Sequence, residues 1–458
     1  MTKEALFACV EEQRAALLSM ADDIYDHPEL GFQELHAQKV LTDYLKDCGF
    51  QVELGTGGVE TAFRAEFSNG QGGPRIGLLC EYDALEGLGH ACGHHMQGPA
   101  IVGAAKALKE HAGDKPFSVV VYGTPAEETA HGKLRMLEQG CFQDIDVALM
   151  MHGSPTTTVD VKSMAMSSFV VTFHGKKAHA ALKPEDGRSA LDAVELMNTG
   201  VQYLREHMTS DCRVHYAITD AGGVSPNVVQ SEASVLYMVR ANKVRDSVKL
   251  LARVDKIAQG AALMTETSFD RQFIDGTAEL VPNYTLEELL YRIFNEVGLP
   301  EYSAEEKALA EALRKTYDVP VAPGIAAGFD ADIAADVAER TNGLSDALCG
   351  FIMPEYHSAG FVAGSTDVGD VSWQTPAAQV HCVTFPFGAA GHSWQNVSSG
   401  GTSLGHKGLI NAAKIIACAA IELMNDPDTL QKARDEFARR TKSGYVCPIE
   451  PDAVPTAI

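Results

Sequence analysis

One loop concentrates the donor atoms of this chain. His90-Ala-Cys92-Gly-His94-His95 sets a thiol and three imidazoles within six residues. Thiolate and imidazole are the donors that hold transition metals. In an extended loop, residues two apart project to the same side, so Cys92 and His94 can reach one ion together. The alternative is a loop whose His and Cys side chains are satisfied internally; a cluster this dense favours metal. Three more donor groups follow apolar runs that read as buried strands. Gly123-Thr-Pro-Ala-Glu127-Glu128 follows 117–122, His152 ends 147–151, and His392, after Gly391, lies beyond 380–384. Ligand sites in α/β folds gather at strand ends. Each of these groups alone is a weak signal, and a single strand-terminal His is more often structural, but together they form a candidate second half of a metal shell.

The elements that must position these donors alternate strand and helix. The pattern predicts helices over 4–25, 35–48, 97–112 and about 408–424, and buried strands over 76–80, 117–122, 146–151 and 380–385. This is an α/β sheet with helix crossovers. The middle of the chain differs. Strand-like 168–173, a helix over 187–207, strand-like 213–218 and 234–239, a helix over 244–264 and a strand over 266–274 follow one another. That β-α-β-β-α-β order is the ferredoxin-like pattern. Residues 168–282 are therefore expected to be an inserted domain, with 1–167 and 283–458 forming the metal-binding domain. Residues 285–316 return to helix, and the Gly/Ala-rich stretch 322–328 reads as a loop.

Composition narrows the classes. A chain of 458 residues exceeds one ordinary core, so two domains are expected. With 45% hydrophobic and 21% charged residues it reads as globular and soluble. A net charge of −24 repels phosphate backbones, so nucleic acid is not an expected partner. The ten cysteines are irregularly spaced, and Cys80, Cys382 and Cys418 sit in apolar runs as small core residues. With no CxxC pair, a reducing, cytoplasmic compartment is expected. The N-terminus has no signal-peptide core, and no run of about 20 apolar residues points to a membrane.

Long, ordered motifs carry a resemblance over nearly the whole chain. They include Asp26-His-Pro-Glu29, Glu81-Tyr-Asp-Ala-Leu85, the loop at 89–95, Glu127-Glu128 and Lys177-Ala-His-Ala-Ala181. Ser225-Pro-Asn-Val-Val-Gln230, Ser365-Thr-Asp-Val-Gly-Asp-Val-Ser372 and His392-Ser-Trp-Gln395 continue the series. In these the chain resembles the M20 family of dinuclear metal amidohydrolases and peptidases, most closely a branch acting on aminobenzoyl-glutamate. The resemblance implies an α/β fold: a mixed-sheet dinuclear-metal hydrolase domain with an inserted ferredoxin-like α+β lid or dimerisation domain. It implies two divalent metal ions per subunit, Mn2+ or Zn2+, held by Cys92, His94, Glu128, His152 and His392. Glu127 would be the general base, and Asp83 would lie beneath the metals and orient a ligand. His179, in the inserted domain, would donate to the charged carbonyl oxygen, commonly from the partner subunit. Asn227 and Arg240 would hold polar groups of the substrate. Glu81 stands where many members have a metal-binding His, and is left out of the shell. His95 departs from the Asn or Asp usual after Cys-Gly-His; a donor to a ligand, a pH-sensitive group and a replacement ligand all stay open for it.

The implied activity is hydrolysis of the amide bond of an N-acyl or N-aroyl amino acid, p-aminobenzoyl-glutamate first. The alternatives within the family are a dipeptidase, an N-acyl-amino-acid amidohydrolase, or a non-catalytic partner of an active homologue. A thiol hydrolase with Cys92 as nucleophile would leave Glu127, Glu128 and His392 without roles. The expected partners are a small-molecule amide substrate and a second subunit, in a homodimer or in a heterodimer with a homologous chain.

Overall fold

Ten strands form two sheets among the described residues. In chain order they are β1 (Gln51–Leu54), β2 (Phe63–Asn69), β3 (Arg75–Cys80), β4 (Phe117–Gly123), β5 (Val147–Ser154), β6 (Ala165–His174), β7 (Arg213–Asp220), β8 (Glu232–Ala241), β9 (Ser268–Thr277) and β10 (Ala377–Val383). The computed structural model describes residues 3–111, 113–159, 161–318, 331–357, 364–450 and 453. The chain divides into two units. One comprises Met1–Lys162, Val281–Ala363 and Asp370–Tyr445; the other comprises Ser163–Leu280, Gly364–Gly369 and Val446–Ile458. The stretch 322–328 lies outside the described residues.

The first unit is built on a six-stranded sheet in the order β1-β2-β4-β3-β5-β10. Strands β4, β3, β5 and β10 are parallel, and β1 and β2 join antiparallel at one edge. The parallel strands are near-continuous apolar runs because both of their faces are covered. β4 is buried at every position. The helices Gln97–His111 and Ser403–Asn425 pack on each other and on this sheet. Gly103 lets Leu17 approach so closely that an added Cβ would lie 2.6 Å from the leucine. Helix Ser403–Asn425 is long and apolar enough to cross a membrane, but 83% of its apolar window is buried inside the molecule. It is a core helix.

The second unit is a four-stranded antiparallel sheet in the order β7-β8-β6-β9. Helices Ala190–Leu204 and Val244–Thr265 pack on each other and on the sheet. Ser189 caps the first of these by accepting from Asp192 N. In β8, buried and less buried residues alternate, as expected of a sheet with one face on a core. The β-α-β-β-α-β order read from sequence is the observed order. β6 begins at Ala165, three residues ahead of the expected 168.

Three local expectations differ from the structure. The helical stretch 285–316 is two helices, Tyr284–Val297 and Ala304–Arg314. The helix read over 4–25 is two helices, Lys3–Glu12 and Arg14–Asp26, divided at Gln13. The antiparallel edge β1–β2 was not legible, because a short, half-exposed edge pair lacks the buried apolar run that marks the inner strands.

Gly123 closes β4 immediately before the Thr124–Glu128 loop, where an added Cβ would meet the buried Phe63 ring at 2.0 Å. Overpacking of this kind costs about 1–3 kcal/mol. Gly123→Ala is therefore expected to lower the thermal unfolding midpoint, and calorimetry showing an unchanged midpoint would mean that the ring has room to yield.

Candidate metal centre

The parallel strands of the first unit deliver the donors at their C-terminal ends. Glu81 and Asp83 follow β3, Glu127 and Glu128 follow β4, His152 lies near the end of β5, and His392 follows β10. The loops are pinned by backbone contacts. Thr124 donates from both N–H and Oγ1 to Cys80 O, at 2.8 and 3.0 Å. Ala84 N donates to Glu29 O at 2.8 Å, which fixes the chain just beyond Asp83. Ala126 adopts φ 59°, and its N–H donates to the buried Glu34 Oε1 at 2.8 Å. That left-handed residue turns the chain before Glu127 and Glu128. Burial, with Asp83 nearby, pushes the Glu34 carboxyl up to about 7.

Asp83 organises the centre. Its Oδ1 lies 2.9 Å from His94 Nδ1, and its Oδ2 accepts from Glu128 N at 2.9 Å. His94 thus carries its proton on Nδ1 and aims Nε2 into the cluster. His152 Nδ1 donates to Gly153 O at 2.6 Å, leaving its Nε2 facing Cys92 Sγ at 3.4 Å. His392 Nε2, on a half-exposed side chain, lies 3.3 Å from Glu128 Oε2. The donor atoms form three overlapping triplets: Cys92, His94 and His152; Cys92, Glu128 and His392; and Glu81, His94 and Glu127. Within each triplet the atoms lie within 4.8 Å of one another. All six residues read from sequence as ligands or base are brought together in this way.

The electrostatics fit cations. His94 Nε2 and Glu128 Oε1 are buried without a hydrogen-bond partner. Burial pushes His94 down, but the facing Cys92 and Asp83 outweigh it and raise it well above its ordinary value. Burial raises Glu128, and burial lowers His152 to about 4. Burial also raises the Cys92 thiol, with Glu128 adding to the effect, which disfavours an unaided thiolate nucleophile. Lone pairs of sulfur, imidazole and carboxylate thus converge on one another, which is the donor set for two divalent ions.

Glu81 is the group that sequence reasoning left out. It is buried, takes Lys133 Nζ on Oε1 at 2.5 Å and Gln97 Nε2 on Oε2 at 2.9 Å, and presents Oε2 to His94 Nε2 at 3.3 Å. An acid directly after a buried strand was the available signal; the paired, fully buried Lys133 came from a helix that sequence did not mark. His95 is turned away from the cluster. Its Nε2 faces Gly400 O at 3.3 Å, and its ring packs beside Tyr25 and His90.

The three remaining site residues lie in the second unit. His179 Nδ1 accepts from Ala181 N and Leu182 N, both at 3.3 Å, so its proton sits on Nε2. Ala180 N donates to Asn227 O at 2.9 Å, which places Asn227 beside the His179 loop. Arg240 is elsewhere. It lies near the far end of β8 and donates to Ser365 Oγ at 2.9 Å. Roughly 25 Å of extended strand separates the start of β8, next to the Asn227 loop, from Arg240.

A strand-end cluster of Cys, His and Glu on a parallel sheet is the donor set of a transition-metal site. The chain belongs to peptidase family M20/M25/M40, whose model matches residues 77–397, and it is a hydrolase of amide bonds. It is 39% identical to a subunit of the p-aminobenzoyl-glutamate hydrolase of Escherichia coli (strain K12), over 98% of each chain. It is 30% identical to Xaa-Arg dipeptidase of Mus musculus, over 93% of this chain and 90% of that one. The crystal structure of aminobenzoyl-glutamate utilization protein from Klebsiella pneumoniae shares the fold. Its TM-score is 0.63 at 19% identity, with 90% of this chain and 97% of that one covered.

Carboxylates that orient metal-binding imidazoles are typically worth about 10–100-fold in metal affinity. Asp83→Asn is expected to weaken divalent-metal binding by that order in equilibrium dialysis, and wild-type affinity in this variant would remove Asp83 from the centre.

Proposed function

We propose that this chain is a dinuclear metal amidohydrolase that releases the amino acid from an N-acyl or N-aroyl amino acid, with p-aminobenzoyl-glutamate as its foremost substrate. The observation that carries the reading is the convergence of unsatisfied donor atoms around Asp83, in a chain whose full length matches a hydrolase of that compound. Cys92, His94, Glu128, His152 and His392 would hold two divalent ions, Mn2+ or Zn2+. When bound, such ions polarise an amide carbonyl and bring the acidity of water towards neutrality. Glu127 takes a proton from the attacking water and returns it to the leaving nitrogen. His179 Nε2–H, fixed in that tautomer by two backbone donors on Nδ1, suits the developing negative charge on the carbonyl oxygen. The Arg240 guanidinium suits a carboxylate because it binds bidentately.

The spacing within the second unit favours a dimer. A substrate of this size does not span the stretch of β8 between Arg240 and the loops of His179 and Asn227. The two groups therefore serve different sites, one in each subunit. β7 offers the means of pairing. It is an edge strand with Tyr216 and Ile218 exposed, and an open edge is a template for a neighbouring chain. The neighbour is a second copy or a homologous subunit. The cysteines other than Cys447 are free thiols, which favours a reducing cytoplasm.

The direct test is hydrolysis by the purified, metal-reconstituted chain, assayed alone against p-aminobenzoyl-glutamate, N-acetyl amino acids and Xaa-Arg dipeptides. The highest kcat/KM is expected for the aroyl-glutamate. Preference for a dipeptide would move the chain to the dipeptidase reading, and inactivity of the chain alone would make it a partner of an active subunit.

Glu127→Gln is expected to keep its metals while losing about 10²–10⁴-fold in kcat. Mixing it with an inactive His179→Ala variant should restore part of the activity, because one site of the mixed dimer keeps both groups. Mixed dimers that stay inactive would rule out catalysis across the interface.

A further inference from the structure

We propose that Asp23, His27 and His36 form an additional metal site in the first unit, which takes one borderline divalent cation of the Zn2+, Ni2+ or Cu2+ type. The cation ties together the two ends of the loop that supports Asp83 and the Glu127–Glu128 turn. None of the three residues belongs to the centre described above.

The geometry is that of a bidentate carboxylate between two imidazoles. Asp23 Oδ1 lies 3.2 Å from His27 Nδ1, and Asp23 Oδ2 lies 3.1 Å from His36 Nε2. Ligand atoms bound to one zinc at about 2.1 Å sit about 3.0–3.5 Å from one another. The ring centroids of His27 and His36 are 4.6 Å apart, and one donor atom from each of the three residues lies within 4.8 Å of the others. Two imidazoles with one carboxylate select zinc, nickel or copper over magnesium or calcium. Each side chain keeps partial exposure, at 39%, 59% and 38%, so water can complete the coordination.

His27 Nδ1 also donates to Asp23 O at 2.8 Å, so a cation bound at that nitrogen replaces this proton and its hydrogen bond. Asp23 and His27 are four residues apart at the end of helix Arg14–Asp26 and share its face. A helix C-terminus carries partial negative charge and favours a cation. Asp26 adds to it. His36 is the second residue of helix Leu35–Asp47, and its position is set by Glu29, whose carboxylate accepts from His36 N at 2.9 Å and Ala37 N at 3.0 Å.

The placement gives the site a consequence. Residues 28–34 connect the two helices, and their contacts reach the catalytic loops at two points. Glu29 O accepts from Ala84 N, next to Asp83, and Glu34 Oε1 accepts from Ala126 N, next to Glu127. Gly31 is packed so closely on this turn that an added Cβ would lie 2.3 Å from Thr129 Oγ1. A cation joining residues 23 and 27 to residue 36 closes the loop at both ends and restrains these supports.

The test is equilibrium dialysis of metal-free protein against Zn2+, read beside hydrogen–deuterium exchange of residues 28–34. Wild type is expected to bind about one equivalent more than a His27→Asn/His36→Asn double variant. Asp23→Asn, a single change at the same site, should show the same loss. Exchange in 28–34 should slow with that additional equivalent in wild type and not in the variants. Equal stoichiometry in wild type and variants would overturn the site and leave only Asp–His ion pairs. Exchange indifferent to the extra Zn2+ would overturn the clamp.

Discussion

The Asp83 carboxylate is the constraint on which the rest of the centre depends. One oxygen takes the Nδ1 proton of His94, and the other takes the backbone N–H of Glu128. A residue that follows β3 thereby sets the tautomer of an imidazole on one loop and the position of a carboxylate on another. The arrangement holds only because Asp83 is itself held. It follows directly from a strand buried between parallel neighbours, and the next residue is tied to Glu29. Parallel strands matter here for a simple reason: their C-terminal ends fall on one side of the sheet, so short loops from β3, β4, β5 and β10 can meet.

Gathering these groups has an electrostatic cost that shapes the neighbourhood. Asp83, Glu81, Glu128 and the Cys92 thiol are crowded together with imidazole lone pairs, and burial of unpaired charge is strongly unfavourable. Glu81 is offset by Lys133, and Asp83 by N–H donors. Glu128 Oε1 and His94 Nε2 have no hydrogen-bond partner, although Glu81 Oε2 lies 3.3 Å from the imidazole nitrogen. Such a buried, acid-rich cluster favours added positive charge, and a cation bound to loops of this kind would contribute to their stability.

The second unit follows a different logic. Its sheet is an antiparallel frame with a helical layer on it, and its chemistry sits in loops and at strand ends. His179 and Asn227 share one pair of loops, while Arg240 stands toward the other end of β8. A long strand is a ruler: it keeps the His179–Asn227 loops and Arg240 apart by most of the length of β8.

How much of this was legible in the sequence follows from what is local. The identities of Cys92, His94, Glu128, His152 and His392 state the chemistry outright, because donor type is a property of the residue. The inner strands announce themselves as apolar runs, and the ferredoxin-like order follows from the alternation of two periodicities. The partnership of Glu81 with Lys133 and His94, the turning of His95 towards Gly400, the edge pair β1–β2 and the distance from Asn227 to Arg240 were not legible. Each depends on which side chains face one another across packed elements, and on how far apart a strand carries them. Neither donor type nor periodicity encodes those relations. The sequence by itself determined which atoms were available for chemistry and on which kinds of element they ride. Only the tertiary structure decided which atoms meet, because direction, register and burial are set by the packing of segments far apart in the chain.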